Sequence, residues 1–532
     1  MKNRGIVLSV AMTVLAAALS FAETLEVKIN PEKTYQTVDN FAAADAWSGN
    51  FVGQYFDEAQ RGQVAKWLFS QKIGADGNPE GIGLSMWRIN VGGGSLERDG
   101  ADIMPFQRRA ESFLTKDGKG YDWGKCAGQQ YFMRKAKEYG CDKFLLFSNT
   151  PPVQWTRNGK GYAENTKDFS SNLKPDCYGK FADFLADVAR HFQDEGFNIA
   201  YISPINEPQW KWNINAQEGS PWHTSEIFKV FAELDRAMTE RKLDNTKMLF
   251  GEAADIQAIY KAHKWKHFEA NKNELERPNN LLKNFFDKNG KWYVGNLKHQ
   301  PMMVGGHSYS THKTNEIIKS RRLSLGAACE KYGVEYQQTE WCLLPHFNSQ
   351  NHEGFTPDWK SDNRADIQVA LLLGKLVYAD FVYAGATAWG YWKGMEIKGD
   401  HALTGVYPAD GDIRKGGVVR ANKLLWALGN YSLFVRPGYK RIELAGAENL
   451  DDFAGMAFKS PDGGRIVAVF VNSSFGVGET SLLLPEAYAN RVSKISAFRT
   501  DANMDMGNLY QKDAKHIVLA PRSITTVVFD FN

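Results

Sequence analysis

Between about residues 39 and 430 the chain alternates two hydrophobic rhythms. Short β-rich runs are separated by longer stretches whose apolar residues recur at helical spacing. The runs are VDNFAAADAW, LSMWRINVGG, KFLLFSNTPP, IAYISPINEP, MLFGEAAD, MMVGGHSYS, VEYQQTEWC and ATAWGYW, eight in all. The segment YGKFADFLADVARHFQDEG (178–196) shows the intervening pattern, an apolar helical face closed by a glycine. Strands that alternate with helices pair in parallel, and eight such units predict closure into a (β/α)8 barrel. After Arg436-Pro437-Gly438 the rhythm changes. RIELAG, FAGMAFKS, RIVAVFVNSS, TSLLLP, VSKISAFRT, HIVLAP and SITTVVFDF are short, β-branched and punctuated by turn residues, which predicts an antiparallel β-sandwich. TLEVKINPEKTYQ (24–36) reads as a further strand expected to join that sheet, so the small domain is discontinuous in sequence. The expected division is 23–38 for the N-terminal strand, 39–436 for the barrel and 437–532 for the sandwich.

The first 22 residues fit neither pattern. Lys2 and Arg4 precede an apolar stretch from Gly5 to about Leu19, and Ser20-Phe21-Ala22 closes it with small residues flanking a large one. This is the layout of a cleaved export signal, too short to serve as a membrane anchor. The expectation is a secreted or periplasmic protein with no membrane partner after cleavage. The chain has 532 residues and a formal charge of +3, from 64 basic and 61 acidic side chains. That balance gives no electrostatic case for nucleic acid. The five cysteines share no close spacing, so neither a metal knuckle nor a disulfide framework is expected.

The chemistry lies at the ends of the runs. Asp45, Asn149, Asn206, Glu207, Glu252, His307 and Glu340 all sit at or just beyond the C-terminal end of an apolar run, and barrel enzymes work on that rim. Glu207 and Glu340 are 133 positions apart, about three βα units, which fits the fourth and seventh strands. Strands so placed face each other across the mouth. Two carboxyls about 5–5.5 Å apart are what glycoside hydrolysis with retention requires, one protonated and one ionised. A single Glu at a strand end is usually just solvated; two at matching ends are a pair.

Asn206-Glu207-Pro208 resembles the acid/base motif of clan A glycoside hydrolases, and Glu340 in VEYQQTEWC resembles the nucleophile of that clan. The ordered strings NFAAADAWSGNFVG, LSMWRINVGGGS, FSNTPPVQWTRNGK, ISPINEPQW, GGHSY, TEW and FVRPG are similar to glycoside hydrolase family 30, most of all its endo-β-1,6-galactanase branch. The resemblance spans about residues 36–440. It implies that Arg88 stands near the nucleophile, that Asn206 bonds the sugar 2-hydroxyl, and that Asp45 contacts other sugar hydroxyls. His307 and Tyr309 end the sixth run, where one of them would bond the nucleophile or the sugar; a satisfied core histidine is an equal reading of His307. Trp155 and Trp389 are the expected indole platforms for a pyranose face, ahead of Trp392, while Trp210 and Trp212 would line a distal subsite. Glu218, in QEGSPW, reads as a loop residue with at most a subsite role.

Other patterns carry less. Gly92-Gly93-Gly94 lacks GxGxxG and Walker spacing, so phosphate or dinucleotide binding is not expected, and a tight turn near the site is. His263 and His267 in HKWKH have metal-ligand spacing but three lysines beside them and no HExxH glutamate. The expected protein is therefore a secreted retaining endo-glycosidase on β-1,6-galactan that needs no cofactor and no metal. The alternatives are a relative acting on β-1,6-glucan, xylan or a β-glucoside, and a non-catalytic carbohydrate-binding protein. The presence of both carboxylates argues against the last.

Overall fold

In the computed structural model, residues 24–98, 104–163, 170–213, 215–262, 278–344, 367–398, 402–513 and 516–532 are described. The expected export signal and the His263/His267 pair lie outside the described residues. The chain enters through a long strand, β1 (Thr24–Thr37), and then each predicted run supplies a barrel strand. These are β2 (Asn40–Ala44), β3 (Met86–Asn90), β4 (Lys143–Phe147), β5 (Ile199–Ser203), a split fifth strand β6 (Lys247–Met248) and β7 (Phe250–Ala253), β8 (Met303–His307), β9 (Glu335–Glu340) and β10 (Ala388–Lys393). All neighbours pair in parallel, in the order β6-β5-β4-β3-β2-β10-β9-β8-β7. The split closes the cylinder. β6 pairs with β5, β7 pairs with β8, and Leu249 between them donates its N–H to the Ile202 carbonyl at 3.0 Å.

The connecting helices include α1 (Ser48–Tyr55), α2 (Glu58–Phe69), α3 (Ala127–Glu138), α4 (Tyr178–Asp194), α5 (Thr224–Glu240), α6 (Gln257–Tyr260), α7 (Asn315–Tyr332) and α8 (Ile367–Val382). α4 realises the predicted pattern: Phe181, Phe184, Leu185, Val188 and Phe192 are buried, and Gly196 at φ +82° turns the chain out of the helix. α8 differs, being buried nearly all round. A helix apolar on every side must be covered on every side, and α8 lies between the barrel and the second sheet. After β10 the chain makes a small sheet that sequence patterning did not reveal, β11 (Met395–Ile397), β12 (Thr404–Pro408) and β13 (Gly417–Ala421), before α9 (Lys423–Ser432).

The C-terminal strands are β14 (Lys440–Ala445), β15 (Phe453–Lys459), β16 (Arg465–Asn472), β17 (Gly478–Leu483), β18 (Val492–Thr500), β19 (Gly507–Asn508), β20 (Ile517–Leu519) and β21 (Ser523–Phe531). With β1 they form one nine-stranded ladder, β19-β18-β21-β16-β15-β14-β1-β17-β20. It is antiparallel throughout except where β1 runs parallel to β17. The N-terminal strand thus joins the C-terminal sheet, as its pattern predicts. Alternation along β16 shows how the sheet is used. Ile466, Ala468 and Phe470 enter a core with Val27, Ile29, Leu519 and Phe529, so the ladder curls over its own apolar face. Val467, Val469 and Val471 join the barrel's core instead, where the sheet meets α8 and α9. Buried on both faces, β16 is apolar without a break. All five cysteines are buried and free.

Candidate active site

Consecutive barrel strands deliver side chains to a single buried cluster at their C-terminal ends. Arg88 comes from β3, Phe147 from β4, Asn206 and Glu207 from the turn after β5, Glu252 from β7, His307 from β8 and Glu340 from β9. The Arg88 guanidinium lies 3.7 Å from the Phe147 ring centroid, a cation–π contact in a desolvated site. Its Nη1 donates to Glu340 Oε2 at 2.7 Å, and its Nη2 donates to Asn206 Oδ1 at 3.2 Å and stands 3.6 Å from Glu252 Oε1. Tyr309 donates its hydroxyl to the other oxygen of Glu340 at 2.9 Å. Each Glu340 oxygen therefore has its own donor.

His307 is fully buried and links all three carboxyls. Nδ1 lies 2.8 Å from Glu207 Oε1 and 3.5 Å from Glu340 Oε1, while Nε2 lies 2.8 Å from Glu252 Oε2. Burial opposes a charged imidazole, but the charge of Glu340 and hydrogen bonds to Glu207 and Glu252 lift His307 from 6.5 to about 10. With acceptors at both ring nitrogens, the imidazolium is the form that satisfies both. Burial would likewise raise Glu252, yet Arg88, His307 and the Thr339 hydroxyl (2.6 Å) hold it down at about 2. Glu340 ends above the ordinary carboxyl value: burial raises it, His307 and Arg88 oppose that, and Glu207 and Glu252 add to it.

Two backbones here are left-handed. Glu207 has φ +43° and Glu252 φ +39°, and the Glu207 N–H donates to the Glu252 carbonyl at 2.9 Å. Such angles cost a non-glycine residue about 1–3 kcal/mol and persist where surrounding contacts over-determine them. Trp212 adds to that by donating its indole N–H to the Glu207 carbonyl at 3.0 Å. One nitrogen of His307 and one oxygen each of Glu207 and Glu340 all lie within 4.8 Å of one another, close enough for a cation. Arg88 and the imidazolium already supply positive charge at those oxygens, and their like charge disfavours a metal ion.

A model of O-glycosyl hydrolase family 30 matches residues 24–401, most of the chain. The chain belongs to that family. An endo-β-1,6-galactanase of Hypocrea rufa is 26% identical over 261 residues, which is 46% of this chain and 52% of that protein. An exo-β-1,6-galactobiohydrolase of Bifidobacterium longum is 24% identical over 282 residues, 43% of this chain and 17% of that protein. The chain thus spans about half the length of the first and under a fifth of the second. A solved structure titled as a conserved exported protein from Bacteroides fragilis is 29% identical, with a TM-score of 0.85 covering 94% of this chain and 99% of that one. Among the described residues, no helix is long and apolar enough to cross a membrane.

In this family 30 chain, Arg88, Asn206, Glu207, His307, Tyr309 and Glu340 meet in the cluster, and other expected residues do not. Trp389 is fully buried and donates its indole N–H to Asp380 at 3.0 Å, which Arg322 holds in turn. With Trp341 and Tyr391 it packs on the strand face opposite the cluster, so it is a core residue here, not a platform. Trp392, three positions on, takes the inward face; its ring is 5.7 Å from the Arg88 guanidinium and edge-on to Trp47 at 5.6 Å. Trp155 is half-buried with its ring edge against Phe184 of α4. Asp45 is buried, with Oδ1 accepting from the Asn90 N–H at 2.8 Å and Oδ2 from Gln129 at 2.6 Å. These bonds tie the end of β3 to α3. Glu218 is fully buried and its two oxygens accept from the Gly93 and Ser95 N–H groups at 3.0 and 3.1 Å. It clamps the glycine turn, where Gly94 has φ +87° and a Cβ on Gly93 would meet Thr150 at 2.5 Å. The residue that sequence reasoning left out of the site is Glu252. Its signal was present, a third carboxylate at a matching strand end.

Proposed function

We propose that this family 30 hydrolase is an exported endo-acting enzyme that cleaves β-1,6-linked galactan, as in arabinogalactan side chains, with retention of configuration. The observation that carries the reading is the proximity of Glu207 and Glu340, whose oxygens flank one His307 nitrogen within 4.8 Å. Retaining glycosidases hold their carboxyls about 5–5.5 Å apart, whereas inverting ones leave about 6.5–9.5 Å for a water.

Charge balance favours the acid-plus-nucleophile state. Two cations, Arg88 and His307, face three carboxyls, Glu207, Glu252 and Glu340. A site this deeply buried favours neutrality, hence one proton shared among the carboxyls. Glu252 is held ionised, so the proton resides on the catalytic pair. Protonated Glu207 gives it to the glycosidic oxygen as the Glu340 carboxylate attacks C1; the C1–O bond breaks and the sugar alcohol leaves. Glu207, now a carboxylate, takes a proton from water, whose oxygen attacks C1 and displaces Glu340. Arg88 occupies the carbonyl end of the Asn206 amide and leaves its NH2 end for the 2-hydroxyl. The galactan assignment is supported by the two β-1,6-galactan-active relatives, and export by the N-terminal leader.

The test is hydrolysis of β-1,6-galactan followed by NMR. The first-formed product should be the β-anomer, released as a spread of oligosaccharides. An α product would overturn retention, galactobiose alone would make the enzyme exo-acting, and preference for β-1,6-glucan or glucuronoxylan in the same panel would move the substrate.

A further inference from the structure

Glu252 makes two separate links to Glu207, yet the chemistry above gives it no step. Its carbonyl accepts the Glu207 N–H at 2.9 Å, and its side chain reaches Glu207 through the imidazole of His307. It is fully enclosed by Arg88 from β3, His307 from β8 and Thr339 from β9, so no sugar can touch it. Its second oxygen has no hydrogen-bond partner, only the Arg88 charge 3.6 Å away. A buried carboxylate short of one hydrogen-bond partner stays ionised through the neighbouring Arg88 and His307 charges, which couples it to both.

We propose that Glu252 is a positioning residue that fixes how many protons the Glu207–Glu340 pair carries, acting through His307 and Arg88 from behind the site. This rests on the catalytic roles proposed above. With three carboxyls against two cations, the enclosed cluster holds one proton, the one that Glu207 donates. Remove the Glu252 charge and Arg88 and His307 balance Glu207 and Glu340 with no proton left over; remove His307 and the carboxyls hold their proton more tightly. The groups that face the pair are Arg88, His307, Tyr309, Asn206 and, through His307, Glu252. The low position of Glu252 itself, near 2, keeps its charge constant through the working pH range.

The experiment compares the pH dependence of kcat/KM for wild type, Glu252→Gln and His307→Gln on one substrate. Loss of the donor proton sets the alkaline limb. Glu252→Gln should move that limb to lower pH by roughly 1–3 units, the usual effect of one close charge, with KM little changed. His307→Gln should move it to higher pH. A role confined to packing lowers activity without displacing the limb, so an unmoved limb in Glu252→Gln overturns the proposal. Should Glu252→Gln fail to fold, Glu252→Asp keeps the charge and is expected to keep the limb at reduced kcat; a limb displaced there, or unmoved in His307→Gln, overturns it as well. Glu340→Ala is assayed in parallel: hydrolysis surviving in it sinks the catalytic reading itself, whereas its loss with an unmoved Glu252→Gln limb sinks only the role of Glu252.

Discussion

The charged cluster at the barrel mouth and the interior of the curled sheet are both deeply buried, yet one is built of ions and the other almost entirely of apolar side chains. At the mouth Arg88, Glu252, His307 and Glu340 are each at most 3% exposed. Within the sheet, Val27, Ile29, Ile466, Phe470, Val527 and Phe529 pack on one another and on similar residues, with the small hydroxyls of Thr480 and Thr525 the polar groups buried among them. Each such apolar side chain stabilises the fold by about 1.5–3 kcal/mol, whereas a buried ion pair often adds nothing net. The two regions are not independent, because β15, β16 and β21 present their other face to α8 and α9 against the barrel. The sheet thus supplies apolar burial to a barrel whose mouth is occupied by charge. Substitutions should separate the two: changes at the mouth should be read in activity, changes in the sheet in stability.

The largest separation is expected at Glu340. Glu340→Ala removes the carboxylate proposed to attack C1, so hydrolysis should fall by about 10⁴-fold, the upper range for loss of one catalytic group. Arg88 keeps Glu252 and Asn206 as partners, so the thermal midpoint should move by only a few degrees. Added azide should restore turnover of an activated aryl glycoside by attacking C1 in place of Glu340, yielding an α-glycosyl azide. A variant that unfolds, or one that stays active without azide, would erase the contrast drawn here.

The converse is expected at Phe470, which is fully buried in the sheet. Phe470→Ala should cost about 3–5 kcal/mol through lost burial and the cavity left behind, seen in denaturant or thermal unfolding. The folded fraction should keep the wild-type KM and kcat, since the residue lies on the sheet face turned away from the barrel. A changed KM at full folding would show that the sheet shapes the substrate cleft directly.

These two tests fall where the sequence was easiest to read. Eight apolar runs with polar ends specified both the barrel and the rim on which its chemistry sits, and the pairing of Glu207 with Glu340 followed from their spacing. What stayed hidden was orientation. Trp389 and Trp392 are three positions apart in one run, so they occupy opposite faces of β10, and no local pattern says which face looks inward. Glu252 was visible as a strand-end residue, but its partners Arg88, His307 and Thr339 come from three other strands. The break at Leu249 that closes the cylinder leaves no mark in composition. Long-range contact, not local propensity, decides all three.

The smallest effect expected here sharpens the comparison from within the barrel. Burial lifts the Asp45 carboxyl from 3.8 to about 7, against the opposing Asn90 N–H, the Gln129 amide and the Arg88 charge. Between those pH values the folded protein keeps a proton that the unfolded chain has released, so stability falls as pH rises across that window; above about 7 the full cost of burying the anion stands. Asparagine does not titrate. Asp45→Asn still accepts from the Asn90 N–H but meets the Gln129 amide, which also donates to the Asn90 carbonyl at 2.9 Å. That conflict costs about 1 kcal/mol at any pH. The variant should therefore melt close to or slightly above wild type at pH 5 and well above it by pH 8. His307, lifted to about 10, stabilises the fold fully below 6.5 and progressively less as pH rises toward 10, in both proteins alike, so it cancels in the difference. Glu252, near 2, gives its stability above about 4.5 and loses it only as pH falls through 2, below the range compared. Parallel melting curves from pH 5 to 8 would mean that Asp45 is already ionised throughout, and that the charged interior reaches further from the catalytic pair than the cluster around His307.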